Sequence, residues 1–196
     1  MFGLYRPYRS ISDEELMRLV QNKEERAFDE LWKRYFLVVQ NFFYRRTGGD
    51  AELTNDLTQD LFLRLWNSGL RYEIGCKFRP WMFTIAFNLL RNMYREIDYL
   101  EGYKEDVKNV AEESYDDIIE LNIDRERLFE ILEEVLKKLS ESERLLFDLR
   151  FTDELSVKEI AMVIGIPEGT VKSRLYTLIK KITKKPSALC LILSHN

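Results

Sequence analysis

The sequence is poor in residues that interrupt helices and in residues that bind metals. Its 196 residues include only 8 glycines, 4 prolines, 2 cysteines and 1 histidine. Cys76 and Cys190 lie far apart, so neither a disulfide framework nor a metal site is expected, which fits a reducing compartment. The longest apolar run, Ala188–Leu193, is too short to span a bilayer, and the N-terminus lacks the apolar stretch of a signal peptide. We therefore expect a cytoplasmic protein without membrane insertion.

Charge is distributed unevenly along the chain. The net charge of −4 argues against nucleic acid as a partner. However, acidic residues dominate residues 99–123, whereas residues 172–185 carry lysine and arginine and no acid. A polyanion responds to such local fields more than to the net charge. The acidic segment predicts a flexible linker, and an ordinary solvated loop explains it equally well.

Helical periodicity dominates the rest of the sequence. The apolar spacing predicts helices from about Asp13 (capped by Ser12), from about Glu24 to about Tyr44, over about Ala51–Asn67 and from Pro80 to about Ile97. A second helical unit follows at about 125–185. The expected fold is all-α, with two small domains at 1–98 and 124–185, a linker at 99–123 and a C-terminal tail at 186–196.

The segment Leu155–Lys185 is typical of a helix-turn-helix. Ser156 and Glu159 form the pattern of a capping box, Gly165 suits the left-handed end of a first helix, and Pro167 suits the start of a second. The predicted buried residues of the two helices are Ile160, Ala161 and Ile164, then Val171, Leu175, Leu178 and Ile182.

The outer face of that second helix is polar and basic. Such side chains contact phosphates and base edges when a recognition helix enters the major groove. A plain helical hairpin with a solvated basic face is the alternative. The cap, the turn and the absence of acids in residues 172–185 together favour DNA, and the candidate contacts are Thr170, Lys172, Ser173, Arg174, Tyr176, Thr177 and Lys180.

The fourth helix has two distinct faces. Its predicted core face contains Met82, Ile85, Ala86, Leu89, Leu90 and Met93. The opposite face and the preceding loop combine an aromatic ring, an amide and cations, which suits stacking and phosphate contact with unpaired DNA. These candidates are Arg71, Tyr72, Lys77, Arg79, Trp81, Thr84, Asn88, Arg91 and Arg95. The alternative is that Trp81 packs on the loop and the arginines are solvated.

The third helix carries acids beside apolar residues away from its leucine stripe. This mixture resembles the rim and hot spot of a protein interface, although a solvated face is the simpler alternative. The residues are Asp56, Gln59, Asp60, Leu63 and Trp66. No catalytic triad, metal cluster or phosphate-binding glycine loop occurs, so we expect no catalytic residues, no metal and no cofactor.

Four motifs in order resemble the bacterial RNA polymerase sigma factors of the extracytoplasmic-function class. They are D-E-E-L with A-F-D-E-L-W-K-R-Y, D-L-T-Q-D-L-F-L-R-L-W, F-R-P-W-M-F-T-I-A-F-N-L-L-R-N-M-Y-R and I-P-E-G-T-V-K-S-R-L. The resemblance covers about Ser12–Lys185. It departs at Thr177 and Ile179, where the family usually has further arginines, and at Pro80, which replaces a common alanine.

The resemblance implies a function and three kinds of partner. The chain would bind core RNA polymerase through the third helix, capture the melted minus-ten element with the fourth helix and its loop, and read the minus-thirty-five element with the helix-turn-helix. An anti-sigma factor is a further expected partner. Two other interpretations stay open: a stand-alone helix-turn-helix regulator, and a nucleic-acid-processing enzyme, which would need an acid cluster or metal site.

Overall fold

The chain forms two compact units, Met1–Lys104 and Glu105–Asn196. The computed structural model describes residues 8–68, 72–73, 75–101 and 136–183. In these residues every regular element is a helix, so the all-α prediction is confirmed. No helix among them is long and apolar enough to cross a membrane. The predicted linker beyond residue 101 and the tail at 186–196 lie outside the described residues.

The N-terminal unit contains a short 3-10 turn and four α-helices. The turn is Tyr8–Ser10, and the helices are α1 (Asp13–Gln21), α2 (Glu25–Tyr44), α3 (Ala51–Ser68) and α4 (Phe78–Glu101). As predicted, Ser12 caps α1 through its hydroxyl, which accepts from the backbone N–H of Glu15 at 3.3 Å.

The prediction that the fourth helix starts at Pro80 and ends at Ile97 is wrong at both ends. Pro80 lies in the first turn of α4, where a missing N–H costs no intrahelical hydrogen bond. The helix therefore begins at Phe78, whose backbone N–H is satisfied by the Glu14 carboxylate at 3.2 Å. At its other end α4 continues to Glu101, which is past residue 98.

The core of the N-terminal unit is rich in aromatic rings. Phe42, Phe43, Phe62, Phe78 and Phe83 are all fully buried, and Phe42 meets Phe83 edge-on at 5.3 Å. The predicted core face of α4 is confirmed at Met82, Ala86, Leu89, Leu90 and Met93. Ile85 is instead part-exposed, because Phe83 occupies the core on that turn.

The C-terminal unit consists of short helices with strong local end signals. In its described residues, 136–183, they are α5 (Glu141–Phe147), a π-helical turn (Asp148–Thr152), α6 (Val157–Ile164) and α7 (Glu168–Thr183). Ser140 and Ser156 each form a complete capping box, with Glu143 and Glu159 respectively. Gly165 ends α6 with φ 77° and ψ 34°, the left-handed conformation predicted for it.

The buried residues of the helix-turn-helix match the prediction in α7 and differ from it in α6. Val171, Leu175, Leu178 and Ile182 of α7 are buried, as predicted. In α6 the buried residues are Ile160 and Val163, whereas Ala161 and Ile164 are part-exposed. A helix of only eight residues buries a narrow stripe, and the i, i+3 pair forms that stripe here.

Candidate functional site

A groove of about 840 Å³ lies between α2 and α3. Most of its walls are aromatic or aliphatic, and two acids from the start of α2 lie at its edge. We name it the α2–α3 groove, and its lining is Glu25, Phe28, Asp29, Trp32, Phe36, Asn55, Gln59, Phe62, Leu63 and Trp66. Its size and its apolar walls with a few polar groups are those of a binding site.

Interlocked rings hold the shape of the α2–α3 groove. The ring centroids of Trp32 and Phe62 are 4.3 Å apart, and Trp32 stacks on Phe36 at 5.2 Å with an interplanar angle of 21°. Phe28 meets Trp66 edge-on at 5.2 Å. Phe62 is only 1% exposed, so it joins the groove to the core. A groove built on the core presents a preformed surface and loses little entropy on binding.

Three of the five residues predicted on the third helix line the α2–α3 groove, and the other two lie outside its lining. Gln59, Leu63 and Trp66 line the α2–α3 groove, and Leu63 is 59% exposed. Asp56 is exposed beside them, and Asp60 forms an ion pair with Arg64 at 2.9 Å. The exposed leucine favours the protein-interface interpretation over a solvated face, because it adjoins aromatic walls and is not a single isolated residue.

Sequence reasoning missed the α2 side of this groove. Phe28, Trp32 and Phe36 repeat at four-residue spacing beside a second apolar row, Leu31, Tyr35 and Val39, and the sequence pattern predicted only a helix there. The second row is the buried one, whereas the aromatic row is part-exposed. One helix carrying two full apolar rows was the signal, since a surface helix buries a single stripe.

The outer face of α4 is arranged mostly as predicted. Arg91 and Arg95 are exposed, Thr84 and Asn88 are part-exposed, and Lys77 is exposed in the preceding segment. Arg79 is part-exposed, with its guanidinium carbon 6.0 Å from the centroid of the Phe83 ring. Arg71 lies outside the described residues.

Trp81 combines both alternatives that the sequence left open. It is part-exposed, and it also packs on the preceding segment, with its ring 5.0 Å from the ring of Tyr72. Tyr72 itself is only 3% exposed, and burial, together with the nearby Glu14 carboxylate, raises its pKa to about 12. The expectation that Tyr72 belongs to the exposed loop face is therefore wrong, because its ring is buried and packs against the ring of Trp81.

The predicted recognition face of α7 is exposed along its length. Tyr176 is 71% exposed, and Thr170 is part-exposed. Lys172, Ser173, Arg174, Thr177 and Lys180 are also exposed. The hydroxyls of Ser173 and Thr177 donate to backbone carbonyls one turn earlier, at 3.0 and 3.1 Å, so each oxygen keeps lone pairs that face solvent.

Comparison with known proteins identifies both units. Residues 31–98 match the family Sigma-70 region 2, and residues 129–182 match Sigma-70, region 4. The RNA polymerase sigma factor YlaC of Bacillus subtilis is 30% identical over 168 residues, which cover 83% of this chain and 95% of YlaC. The ECF RNA polymerase sigma factor BldN of Streptomyces coelicolor is 29% identical over 87% of this chain and 64% of BldN.

A solved structure has the same fold. The sigma factor RpoE of Bartonella quintana, in complex with the anti-sigma factor NepR, superposes with a TM-score of 0.58 and 19% identity over 80% of this chain and 94% of that chain. A stand-alone regulator is not favoured, because the helix-turn-helix unit follows a region 2 unit on the same chain. The chain belongs to the sigma-70 family of RNA polymerase sigma factors, in the extracytoplasmic-function class.

Proposed function

We propose that this sigma factor binds core RNA polymerase through the α2–α3 groove, opens promoter DNA with the outer face of α4 and reads duplex DNA with α7. The observation that carries the proposal is the α2–α3 groove, where Gln59, Leu63 and Trp66 meet the aromatic row of α2. A free protein that keeps such an apolar surface exposed is suited to a partner that covers it.

The α2–α3 groove fits an amphipathic helix of the polymerase. Two neighbouring helices form its walls, and aromatic rings form its floor, which is how helix-in-groove interfaces are built. Glu25 and Asp29 at its edge favour a partner with basic residues beside its apolar ones. On α3, outside the groove lining, lie the exposed Asp56 and the Asp60 that pairs with Arg64, and charges at such positions guide association more than they add affinity.

The α4 face suits a single strand. The part-exposed Trp81 offers a ring to an unpaired base, the Asn88 amide offers a donor and an acceptor to a base edge, and exposed Arg91 and Arg95 follow at one-turn intervals to hold phosphates. Thr84, Arg79 and Lys77 extend this surface toward the start of the helix. Arg71 completes the set predicted to contact the minus-ten element.

The α7 face suits the major groove of duplex DNA. Arg174 and Lys172 supply the cations, while Ser173, Thr177 and Tyr176 supply hydroxyls near the N-terminal half of the helix. Thr170 lies in the first turn of α7, at the positive end of the helix, which adds affinity for phosphate, and Lys180 extends the contacts along the DNA backbone. This face would read the minus-thirty-five element.

None of these tasks requires the chain to make or break a covalent bond, so we assign it no enzymatic activity. A transcription initiator of this kind works in the cytoplasm, beside the polymerase.

We also propose that an anti-sigma factor controls it, as NepR pairs with the sigma factor RpoE of Bartonella quintana. An inhibitor that covers the α2–α3 groove would prevent core binding directly.

The test of core binding compares two exposed leucines. Leu63 lies in the α2–α3 groove, whereas Leu37 is 65% exposed on α2 and lies outside the groove lining. We expect Leu63→Ala and Trp66→Ala to weaken binding to core polymerase, measured by fluorescence anisotropy, because interface anchors of this kind dominate affinity. Leu37→Ala is expected to bind like the wild type. Equal loss in all three variants would show that the groove is not the site.

The test of initiation uses the wild-type holoenzyme and a library of random promoters. Transcripts that depend on the added chain are expected, with selected sequences near positions minus ten and minus thirty-five. The stand-alone regulator predicts a different result, which is tight binding to duplex DNA by the free chain and no transcription with core polymerase.

A further inference from the structure

The described residues between α3 and α4, which are 72–73 and 75–77 and are called here the connecting segment, lead directly into the proposed strand-capturing face. Three hydrogen bonds tie this region to α1 and the turn after it. The Lys23 ammonium donates to the Trp66 carbonyl at 3.3 Å, before the segment begins. The Gln21 side-chain amide donates to the Tyr72 carbonyl at 2.7 Å, within the segment. The Glu14 carboxylate accepts from the Phe78 N–H at 3.2 Å, where the segment ends.

These contacts join parts of the chain that are distant in sequence. The donor and acceptor residues are 43, 51 and 64 positions apart, respectively. Both Gln21 and Glu14 bind backbone atoms, so they constrain the path of the chain rather than one rotamer. The hydrogen bond from Gln21 is part-buried, so leaving the Tyr72 carbonyl without this donor would cost free energy.

Tyr72 fixes the same region from within. Its buried ring supports Trp81 edge-on, and its hydroxyl donates to the backbone carbonyl of Cys76. The ring of Tyr35 on α2 packs against the ring of Phe78, with the two centroids 5.1 Å apart, at the start of α4. A change in the position of the Tyr72 backbone would therefore move the ring that faces Trp81.

We infer that α1 is a positioning element for promoter opening, in which Gln21 and Glu14 set the backbone of the connecting segment so that Trp81 meets an unpaired base. The inference rests on the proposed function, and neither residue touches DNA in it. Preorganisation of this kind reduces the entropy lost when the strand is captured. No residue of α1 belongs to the surfaces that the sequence pattern predicted for DNA.

The test exchanges one side-chain amide for a carboxylate at adjacent positions. Gln21→Glu replaces the donor to Tyr72 with an acceptor, which repels the carbonyl. Asn22→Asp is the matched control, because its amide donates to the Arg18 carbonyl at 3.2 Å within the same helix turn. Both variants have the same change in charge and nearly the same shape.

The probe is the non-template strand of a promoter that the wild-type holoenzyme selects from a random library. We expect Gln21→Glu holoenzyme to bind this strand about 10-fold more weakly than wild type, while Asn22→Asp stays within about twofold. Binding to core polymerase and to the minus-thirty-five duplex is expected to be unchanged in both variants. A second pair checks the other bond: Glu14→Ala loses strand affinity, and Glu14→Gln recovers it because its amide oxygen still accepts from Phe78.

The results separate the inference from the function on which it rests. If the wild-type holoenzyme fails to form or selects no promoter, the proposed function is wrong. If the wild type binds the strand and Gln21→Glu binds it equally well, the role of α1 is wrong. Loss of core binding in Gln21→Glu would also overturn it, since that result indicates a general folding defect.

Discussion

The α2–α3 groove is concave and its walls come from two helices, whereas the α7 face is convex and comes from one. The groove is lined by aromatic rings that also contact the core, with Phe62 at 1% exposure. The α7 face consists of polar and basic side chains that stand clear of the core, with Tyr176 at 71% exposure. The same fold class therefore provides two kinds of surface, one for protein and one for nucleic acid.

The difference shows how closely each surface depends on stability. Residues in the groove floor hold both the fold and the proposed interface, so most changes there affect both properties. Residues on the α7 face project into solvent, so they can change DNA affinity with little effect on folding. Four experiments, in order of decreasing expected effect, test this separation and the stability of the helix-turn-helix that carries the α7 face.

Phe62→Ala tests whether the groove floor is part of the core. Removing this buried ring leaves a cavity beside Trp32, and we expect a loss of about 3–5 kcal/mol in the free energy of unfolding. Tryptophan fluorescence during urea unfolding measures it, because all three tryptophans lie in the N-terminal unit. Leu63→Ala, at the exposed neighbouring position, is expected to change stability by less than about 0.5 kcal/mol. Similar losses of stability in Phe62→Ala and Leu63→Ala would contradict the assignment of Phe62 to the core and of Leu63 to the exposed side of the groove.

Arg174→Ala tests whether the α7 face affects binding without affecting folding. We expect holoenzyme affinity for a selected duplex to fall by roughly 1–3 kcal/mol if the guanidinium contacts a base. Lys172→Ala should instead lower the slope of log affinity against log salt by about 0.9, as expected for one phosphate contact. Lys33→Ala, which removes an exposed cation from α2, is the control. An unchanged salt slope in Lys172→Ala would remove that lysine from the DNA interface.

Two glycines of the helix-turn-helix are expected to respond in opposite directions. Gly165→Ala forces a side chain into the left-handed conformation at φ 77°, which costs about 1 kcal/mol. Gly169→Ala lies within α7, where an added Cβ meets no atom within 4 Å, and should stabilise the helix by about 0.5–1 kcal/mol. Hydrogen exchange of the α6 and α7 amides gives both values. The same sign for both substitutions would rule out the turn geometry.

The ion pair between Glu143 and Lys181 gives the smallest expected effect. Burial raises the pKa of Glu143, but hydrogen bonds from Lys181 and Ser140 outweigh it and hold that pKa below its ordinary 4.5. The pair therefore stabilises the fold above pH 4.5, and this contribution is lost as pH falls through the lowered pKa. We expect Lys181→Ala to cost less than about 1 kcal/mol at pH 7, because both groups are partly exposed.

The check is hydrogen exchange of the α5 and α7 amides at several pH values. The difference between wild type and Lys181→Ala should be constant at neutral pH and should disappear in acid. Lys172→Ala, on the same helix and exposed, should show no such pH dependence. A difference that persists below the lowered pKa of Glu143 would mean that the lysine acts by packing.

The convex surface was predictable from sequence, and the concave surface was only half predictable. A single helix determines which α7 residues face outward. Its periodicity, together with Gly165 at the end of α6 and Pro167 just before α7, gives that helix directly. The two apolar rows of α2 indicate a second apolar surface on that helix, but which α3 residues complete the groove depends on how the two helices pack, and no pattern within one helix contains that information. For the same reason, Gln21 and Glu14 escaped prediction, since their partners lie 51 and 64 residues away.

The hydrogen bond between Glu14 and Phe78 has a consequence for the order in which the chain is made. Phe78 lies 64 positions after Glu14, a length of chain that takes roughly 3–13 s to synthesise at typical rates of translation, so Glu14 emerges long before the backbone it binds. The helix-turn-helix needs no such delay, because α6 and α7 are neighbours in sequence. Nascent α1 can pack against α2 soon after both helices emerge, but the Glu14 carboxylate and the part of α1 that meets α4 stay uncovered until Phe78 is made. This interval is when a newly made chain is most exposed to aggregation and to proteases.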